Sequence, residues 1–212
     1  MSAVLTLKKK DDIFYPESDG NPMAETDIHR EQMNYLIEAL KIYFQTLENV
    51  YISGNIMFYY EEGNLNKVFS PDVLICFGVS NKVRRIYKLW EEKQFPQVIF
   101  EISSRKTWGD DLNKKWLLYQ QFGVKEYYIF DPEYDHLPEP LIAYRLKKGE
   151  LQQVAVKNQK IFSEELGLEI VDTGTGLRLY NRQTKEFLKT LREAEAEIEF
   201  LREEIEKLKK KK

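Results

Sequence analysis

The first clear hydrophobic pattern along the chain is helical. Between residues 25 and about 48, apolar side chains recur three and four residues apart. This spacing predicts an amphipathic helix, for which Thr26 or Asp27 is a suitable N-cap. The residues before it are mostly polar and predict an irregular lead-in. The apolar positions of the helix are Leu36, Ile37, Leu40, Phe44 and Leu47.

Alternating and continuous apolar runs then predict a series of strands. In VYISGNIMFYY the apolar residues alternate, which predicts one strand, and SPDVLICF, QVIFEIS and KEYYIFDP predict three more. SNKVRRIYKLWEEK predicts a loop with a short helix, and DDLNKKWLLYQQFG a helix that ends near Gly123. A hairpin turning at Lys148–Gly149 follows, and then short strands in LGLEIV and LRLY. This order of elements predicts a mixed α/β or α+β domain with a central sheet.

The C-terminal segment has a different pattern. From Thr184 onward it contains no Gly or Pro, and apolar residues recur every seven positions. The pattern predicts a coiled coil, most simply a homodimer, although one amphipathic helix packed on its own domain is the alternative. The predicted division is a lead-in at 1–17, a domain at 18–183, and a coiled-coil helix with a basic tail at 184–212. The a positions are Leu191, Ile198 and Ile205, and the d positions are Ala194, Leu201 and Leu208.

Composition narrows the classes of protein. Hydrophobic residues make up 42% of the chain and aromatic residues 13%, which is enough to build a core and excludes global disorder. The net charge of −3 means that any nucleic-acid contact would come from local basic patches. A single cysteine, Cys76, forms no intrachain disulfide, and no apolar run is long enough to cross a membrane. We therefore expect a cytoplasmic protein without membrane contact.

Two carboxylates on the predicted strands are candidates for chemistry. Glu101 lies inside VIFEIS, where an ionised side chain is costly unless it binds a cation, and Asp72 opens the strand DVLICF. If these strands are neighbours, both side chains can point to one spot at the sheet edge. Mg²⁺ binds such carboxylates, and the backbone carbonyl of Ile102 could add a ligand. Taken singly, Asp72 is an ordinary turn residue and Glu101 an ordinary ion-pair partner.

The helix after this strand offers a lysine. Asp111, Lys115 and Tyr119 share one helix face at i, i+4 and i+8. As a plain helix ion pair, Asp111 and Lys115 would contribute only ~0.3–0.5 kcal/mol. If the face looks back over the end of the strand that carries Glu101, the ammonium could stabilise charge on a phosphate or position an attacking water.

These motifs together resemble a known family. Pro71–Asp72, Glu101 to Ser104, Asp111–Lys115–Tyr119, Gly123–Val124 and Asp131–Pro132 occur in the order of the restriction-endonuclease-like family of the PD-(D/E)XK nuclease superfamily, the Uma-two type. The upstream SDGNPMAETDIH also resembles this family, and the likeness covers roughly residues 18–183. The resemblance implies a restriction-endonuclease-like fold and a metal-dependent phosphodiesterase site, with Asp72 and Glu101 as the carboxylates that bind the metal.

The chain departs from the superfamily motif at one position. The motif would place a lysine at 103, where this chain has Ser103. In the Uma-two type the lysine stands on the helix, and the resemblance therefore points to Lys115 rather than Lys114. Glu25 is a candidate additional acidic ligand, and His29 lies one turn further along, where a surface or core histidine is the plainer interpretation.

We therefore expect hydrolysis of DNA phosphodiester bonds with Mg²⁺ or Mn²⁺. Substrate binding could come from NKVRRIYK, although a solvated helix face explains that run equally well. One alternative is a coiled-coil adaptor on a nuclease fold whose activity is weak or lost, and another is a DNA-binding module. The cationic residues of NKVRRIYK are Lys82, Arg84, Arg85 and Lys88.

Overall fold

The computed structural model of the protein describes residues 13–18, 20 and 26–210. The helices are α1 (Asp27–Tyr43), α2 (Leu89–Glu92), α3 (Trp108–Asp110), α4 (Trp116–Gln121) and α5 (Leu191–Lys209), and a π-helical turn, Asp111–Lys115, joins α3 to α4. The strands are β1 (Val50–Ser53), β2 (Phe58–Tyr59), β3 (Val68–Phe69), β4 (Val73–Phe77), β5 (Tyr87–Lys88), β6 (Val98–Ile102), β7 (Glu126–Phe130), β8 (Leu141–Lys147), β9 (Glu150–Val154), β10 (Lys160–Ser163), β11 (Leu168–Asp172), β12 (Leu177–Asn181) and β13 (Glu186–Phe187).

A mixed six-stranded sheet forms the centre of the molecule. Its order is β1-β4-β6-β7-β8-β9, in which β6 and β7 are parallel and all other neighbours are antiparallel. The parallel pair is joined by the crossover through α3, the π-helical turn and α4, as a parallel connection requires. The mixed α+β fold class predicted from the sequence is thus confirmed.

The two faces of the central sheet are covered by different elements. Phe100 and the other even-numbered residues of β6 lie on the face against Leu36 and Leu40 of α1. Ile99 lies on the opposite face, in the hydrophobic cluster that contains Tyr119 of α4. Because side chains alternate along a strand, Glu101 shares the face of Ile99 and lies under the crossover helix. The Glu101 carboxylate therefore points toward the crossover, which carries the candidate residue Lys115.

A second, four-stranded sheet in the order β10-β11-β12-β13 adjoins the face of α1. Gln32 of α1 donates its side-chain N–H to the carbonyl of Leu177 at 2.9 Å and accepts from the Leu177 N–H at 2.8 Å. The two sheets also meet at Glu126, which is buried on β7. Its carboxylate accepts the Ser163 hydroxyl and the Glu164 N–H, the latter at 2.8 Å. Side chains thus fix the second sheet to the central one.

The prediction of one strand in VYISGNIMFYY is wrong. The segment forms β1 and β2, which belong to different sheets. The first strand ends before Gly54. The backbone packs closely there, so that an added Cβ would lie 2.0 Å from the Asp72 carbonyl oxygen and 2.8 Å from a methyl of Ile37. The chain then leaves the sheet as the Asn55 N–H donates to the carbonyl of Pro71 at 2.9 Å. Strand β2 belongs instead to a small third sheet in the order β3-β2-β5.

The two ends of the predicted domain differ in detail from the expected boundaries. The hairpin turn at Lys148–Gly149 is present, with positive φ at both residues. The C-terminal helix begins at Leu191, and β13 precedes it, so position 184 falls before the last strand rather than at a helix start. Tyr15, inside the expected lead-in, is buried and packs on Tyr59 and Trp90. Among the described residues, no helix has the length and apolar content needed to cross a lipid bilayer.

Candidate active site

The two candidate carboxylates meet where β4 begins and β6 ends. The antiparallel pairing of these strands sets Val73 opposite Phe100, which places Asp72 beside the end of β6. The Ile102 N–H donates to Oδ2 of Asp72 at 2.7 Å, and the Asp72 N–H lies 3.4 Å from Oε2 of Glu101. Backbone pairing therefore brings Asp72 and Glu101 to one corner of the central sheet.

The crossover helix delivers Lys115 to this corner. Its Nζ lies 2.8 Å from Oε2 of Glu101 and 2.8 Å from Oδ1 of Asp111. The π-helical turn contains both Asp111 and Lys115, and such turns are frequent at functional sites. The neighbouring Lys114 points away and pairs with Asp110 on the exposed face. Of the two adjacent lysines, Lys115 is the one that reaches Glu101.

Two tyrosine hydroxyls hold the acidic groups in place. Tyr119 donates to Oε1 of Glu101 at 2.5 Å, and Tyr127 donates to the backbone carbonyl of Asp111 at 2.9 Å. The sequence placed Tyr119 on the helix face of Lys115 but gave it no role in the site. The i+4 spacing from Lys115 could have indicated a role for Tyr119, since it puts the ring over the same strand.

Burial and neighbouring charges shift the pKa values of ionisable groups at this corner. Burial, together with the nearby carboxylates of Asp72 and Asp111, raises the pKa of Glu101 to about 8 in spite of the opposing charge of Lys115. Burial also raises the pKa of Asp111. For Lys115, burial alone would lower the pKa, but Glu101, Asp111 and Asp72 together raise it, so the side chain stays an ammonium. A cation bound at this corner would lower the raised pKa of Glu101, because it favours the ionised carboxylate.

Helix α1 approaches Asp72 from the other face of the sheet. His29 Nε2 lies 3.3 Å from Oδ2 of Asp72, and the His29 side chain is mostly buried. Thr26 caps the helix by accepting the His29 N–H at 3.2 Å, which confirms Thr26 over Asp27 as the N-cap. The predicted extra ligand Glu25 lies outside the described residues.

A cavity of about 410 Å³ opens beside this corner. Asp72 and Lys115 line it, whereas Glu101 has 0% exposure and lies behind them. Two exposed cations that the sequence reasoning missed, Arg105 and Lys106, also line the cavity. Their position in the loop directly after β6 is the sequence feature that could have indicated this role. Arg105 also pairs with Asp135. The full lining is Thr26, His29, Asp72, Ser104, Arg105, Lys106, Thr107, Lys115 and Glu133.

The basic run NKVRRIYK lies away from this corner. It follows the far end of β4, and a strand of that length places it about 17 Å from Asp72. A second cavity of about 410 Å³ lies there, so cavity volume alone does not mark the site. The cations are paired: Lys82 and Arg84 with Glu92, Arg85 with Glu17, and Lys88 with Glu91. DNA contact through this run stays a prediction.

Another acidic group has the spacing of metal ligands. Among the described residues, Asp131, Asp135 and His136 have potential ligand atoms within 4.8 Å of one another. Although burial opposes it, backbone N–H groups including those of His136 and Leu137 lower the pKa of Asp131. The carboxylate of Asp131 accepts five backbone N–H groups, and Asp135 binds Arg105. Because Asp131 binds the backbone of the residues that follow it, we interpret this group as one that stabilises the loop after β7.

The donor set at Asp72 and Glu101 fits a hard divalent cation. Both side chains offer oxygen ligands, and the Ile102 carbonyl directly follows Glu101 in the chain. Mg²⁺ is commonly held by one or two carboxylates, with water and substrate phosphate completing an octahedron, so a third protein carboxylate is not needed.

The central mixed sheet and the β6–β7 crossover define a restriction-endonuclease-like fold. The model of the Uma2 family, described as "Putative restriction endonuclease", matches residues 3–175, and the chain belongs to this family. A crystal structure of a putative nuclease belonging to DUF820 from Anabaena variabilis ATCC 29413 is similar, with a TM-score of 0.49 and 12% sequence identity over 68% of this chain and 76% of that chain. No curated protein is significantly similar in sequence.

Proposed function

We propose that this protein is a metal-dependent endonuclease that hydrolyses DNA phosphodiester bonds at the corner formed by Asp72, Glu101 and Lys115. The observation that carries the proposal is the position of Lys115 Nζ, 2.8 Å from Glu101 and on the wall of the cavity that Asp72 also lines. Membership of the Uma2 family supports a hydrolase acting on DNA. The proposal assigns the bond cleaved and the residues that act on it.

Asp72, Glu101 and the Ile102 carbonyl would hold the Mg²⁺ or Mn²⁺ ion, with Glu25 as a further candidate ligand. Bound there, the ion supplies Lewis-acid stabilisation of the phosphate and a water of lowered pKa. The buried position of Glu101 keeps its carboxylate away from bulk water, where competing solvation would weaken its interactions.

Lys115 supplies a fixed positive charge to the reacting phosphate. Glu101 and Asp111 fix its ammonium at 2.8 Å each, and part of the side chain, 24%, faces the cavity. From there it can donate to a phosphate oxygen or to the attacking water, where a preorganised charge is most effective. Arg105 and Lys106 at the rim would attract the DNA backbone.

Cleavage of supercoiled plasmid in Mg²⁺ or Mn²⁺ tests the site. The variants Asp72→Asn, Glu101→Gln and Lys115→Met should each lose activity by about 10²–10³-fold, the usual loss when one preorganised charge is removed. Lys114→Met is the matched control, because Lys114 is adjacent, equally charged and exposed. It should cleave like the parent chain. Thermal unfolding of each variant confirms that it is folded.

The outcomes separate the proposal from its rivals. Equal cleavage by all of these variants would contradict the assigned site. Absence of cleavage by the parent chain on duplex DNA, single-stranded DNA and RNA, with either metal, would contradict the nuclease proposal and favour the adaptor. Binding of DNA without cleavage would favour the DNA-binding module.

The proposal includes a second copy of the chain as partner. Helix α5 exposes its apolar residues and has none buried among its described positions. An exposed apolar stripe on a helix is a common feature of an association surface. A homodimer through α5 therefore belongs to the proposed function, whereas the cytoplasmic location stays a prediction.

A further inference from the structure

Helix α5 begins with a strong N-terminal cap. Thr190 and Glu193 form a capping box, and Glu193 also pairs with Arg178 of the domain at 2.9 Å. From this anchored start the helix extends for 19 residues, about 28 Å. Most of the stability of a helix in a protein comes from packing of its apolar face, so a partner on that face would stabilise α5.

The apolar face is a heptad stripe that the domain does not cover. Its large side chains are 49% to 63% exposed. Isoleucine occupies two a positions, Ile198 and Ile205, and leucine the following d positions, Leu201 and Leu208. In parallel coiled coils, β-branched residues at a with leucine at d favour two strands over three or four. Side-chain shape along the stripe therefore favours a dimer and leaves the orientation to the charges.

The charged positions beside the stripe favour the same orientation. In a parallel coil, a g residue faces the e residue of the next heptad in the partner. Here this sets Glu197 against Arg202 and Glu204 against Lys209, both attractive pairs. In an antiparallel coil, g faces g and e faces e, so Glu197 would face Glu204, which is repulsive. When Arg202 faces its own copy, which is also repulsive, Glu195 faces Lys209, which is attractive. The charges are therefore complementary throughout in the parallel arrangement and mixed in the antiparallel one.

We propose that α5 docks on α5 of a second copy as a parallel, in-register coiled coil, with the pairs Glu197–Arg202 and Glu204–Lys209 across the interface. This inference rests on the homodimer in the proposed function and does not depend on DNA cleavage. A parallel coil places both domains at the same end of the helix pair, so that two sites can act on one DNA duplex. An antiparallel coil would separate them by the length of α5.

Charge-swapped variants of the full chain test the orientation. The half-swap combines Arg202→Glu with Lys209→Glu, and the full swap adds Glu197→Lys and Glu204→Lys. All four side chains are exposed, and Glu, Lys and Arg have similar helix propensities, so α5 itself should be retained, as circular dichroism can show. The half-swap leaves unchanged the contact of Glu197 with Lys189 in the same chain.

Sedimentation equilibrium should show that the half-swap weakens the dimer by on the order of 10–100-fold and that the full swap restores it. When parent and full-swap chains carry different fluorophores and are mixed, a parallel coil gives only like-with-like dimers. Predominantly mixed dimers, or a half-swap that dimerises like the parent, would overturn the parallel arrangement. A parent chain that is monomeric at all concentrations would overturn the dimer as well, while plasmid cleavage tests the nuclease separately.

Discussion

The hydroxyl of Tyr119 donates a hydrogen bond to Oε1 of Glu101 at 2.5 Å. The other oxygen, Oε2, binds Lys115 and faces the Asp72 N–H. Glu101 is therefore positioned by three neighbours, each from a different element. Its orientation depends on the packing of the crossover helix as much as on its own strand.

Replacing Tyr119 with Phe should weaken the site more than the fold. Removal of the hydroxyl leaves a buried carboxylate oxygen without its donor, which costs about 1–3 kcal/mol, and frees Glu101 to rotate. We expect lower plasmid cleavage and a smaller rise of Tm on adding Mg²⁺, because a cation that binds only the folded chain stabilises it less when it binds more weakly.

The matched control is Tyr144→Phe, on the same side of the sheet, where the ring stacks on Tyr127. It should keep the full Mg²⁺-dependent rise of Tm. If Tyr119→Phe keeps that rise too, the hydroxyl does not position Glu101, and its role is structural alone.

At the level of single residues, Asp72 and Glu101 were candidates because each is a carboxylate at or inside an apolar strand, and Lys115 was chosen because the family resemblance pointed to a lysine on the helix. The sequence did not locate Arg105 and Lys106. Their approach to the cavity depends on how the loop after β6 folds back, and the spacing of residues carries no information about that. The roles of all these residues stay predictions.

At the level of elements, the helices and long strands were predicted from periodicity, because each buries one regular face. The break inside VYISGNIMFYY was not predicted. It depends on contact between Gly54 and the backbone of Asp72, which are far apart in the chain. The short strand β10 was also missed, because its residues are only partly buried and show little alternation.

The close approach of Gly54 to Asp72 predicts that a larger residue at position 54 lowers both stability and cleavage. Gly54→Ala would push a methyl group against the Asp72 carbonyl, so either β1 or the start of β4 must move. We expect a loss of about 1–3 kcal/mol in the free energy of unfolding, as in other overpacked sites, and reduced plasmid cleavage because Asp72 is displaced.

Gly109→Ala is the control, since an added Cβ at Gly109 meets nothing within 4 Å and its φ is ordinary. This change should leave stability unchanged or slightly raised, because alanine favours a helix over glycine. Equal cleavage by the two variants would show that the position of Asp72 does not depend on Gly54.

At the scale of the whole molecule, Glu126 joins the central sheet to the second sheet. Its carboxylate accepts from Ser163, from Tyr128 at 3.0 Å and from the Glu164 N–H at 2.8 Å, and Arg145 Nε lies 3.4 Å away. A buried acceptor with this many donors cannot be removed without leaving several of them unsatisfied.

Glu126→Ala should therefore lower the free energy of unfolding by about 3–5 kcal/mol in urea denaturation. Glu164→Ala is the control, because its exposed carboxylate forms a surface pair with the same Arg145 and should contribute less than about 1 kcal/mol. Similar losses for both variants would mean that the buried carboxylate does not hold the sheets together.

The loop at the far end of β4 is a position at which the chain could be cut into two fragments. Val83 at its tip is 98% exposed, and exposed tips tolerate interruption of the chain. A cut beside Val83 would leave His29 and Asp72 on one fragment and Glu101, Lys115 and α5 on the other. Neither fragment alone would hold the complete candidate site, so the proposed cleavage would return only when β4 of one fragment paired with β6 of the other. Under that proposal, the two fragments form a split nuclease, and DNA cleavage reports the reassembly of the central sheet.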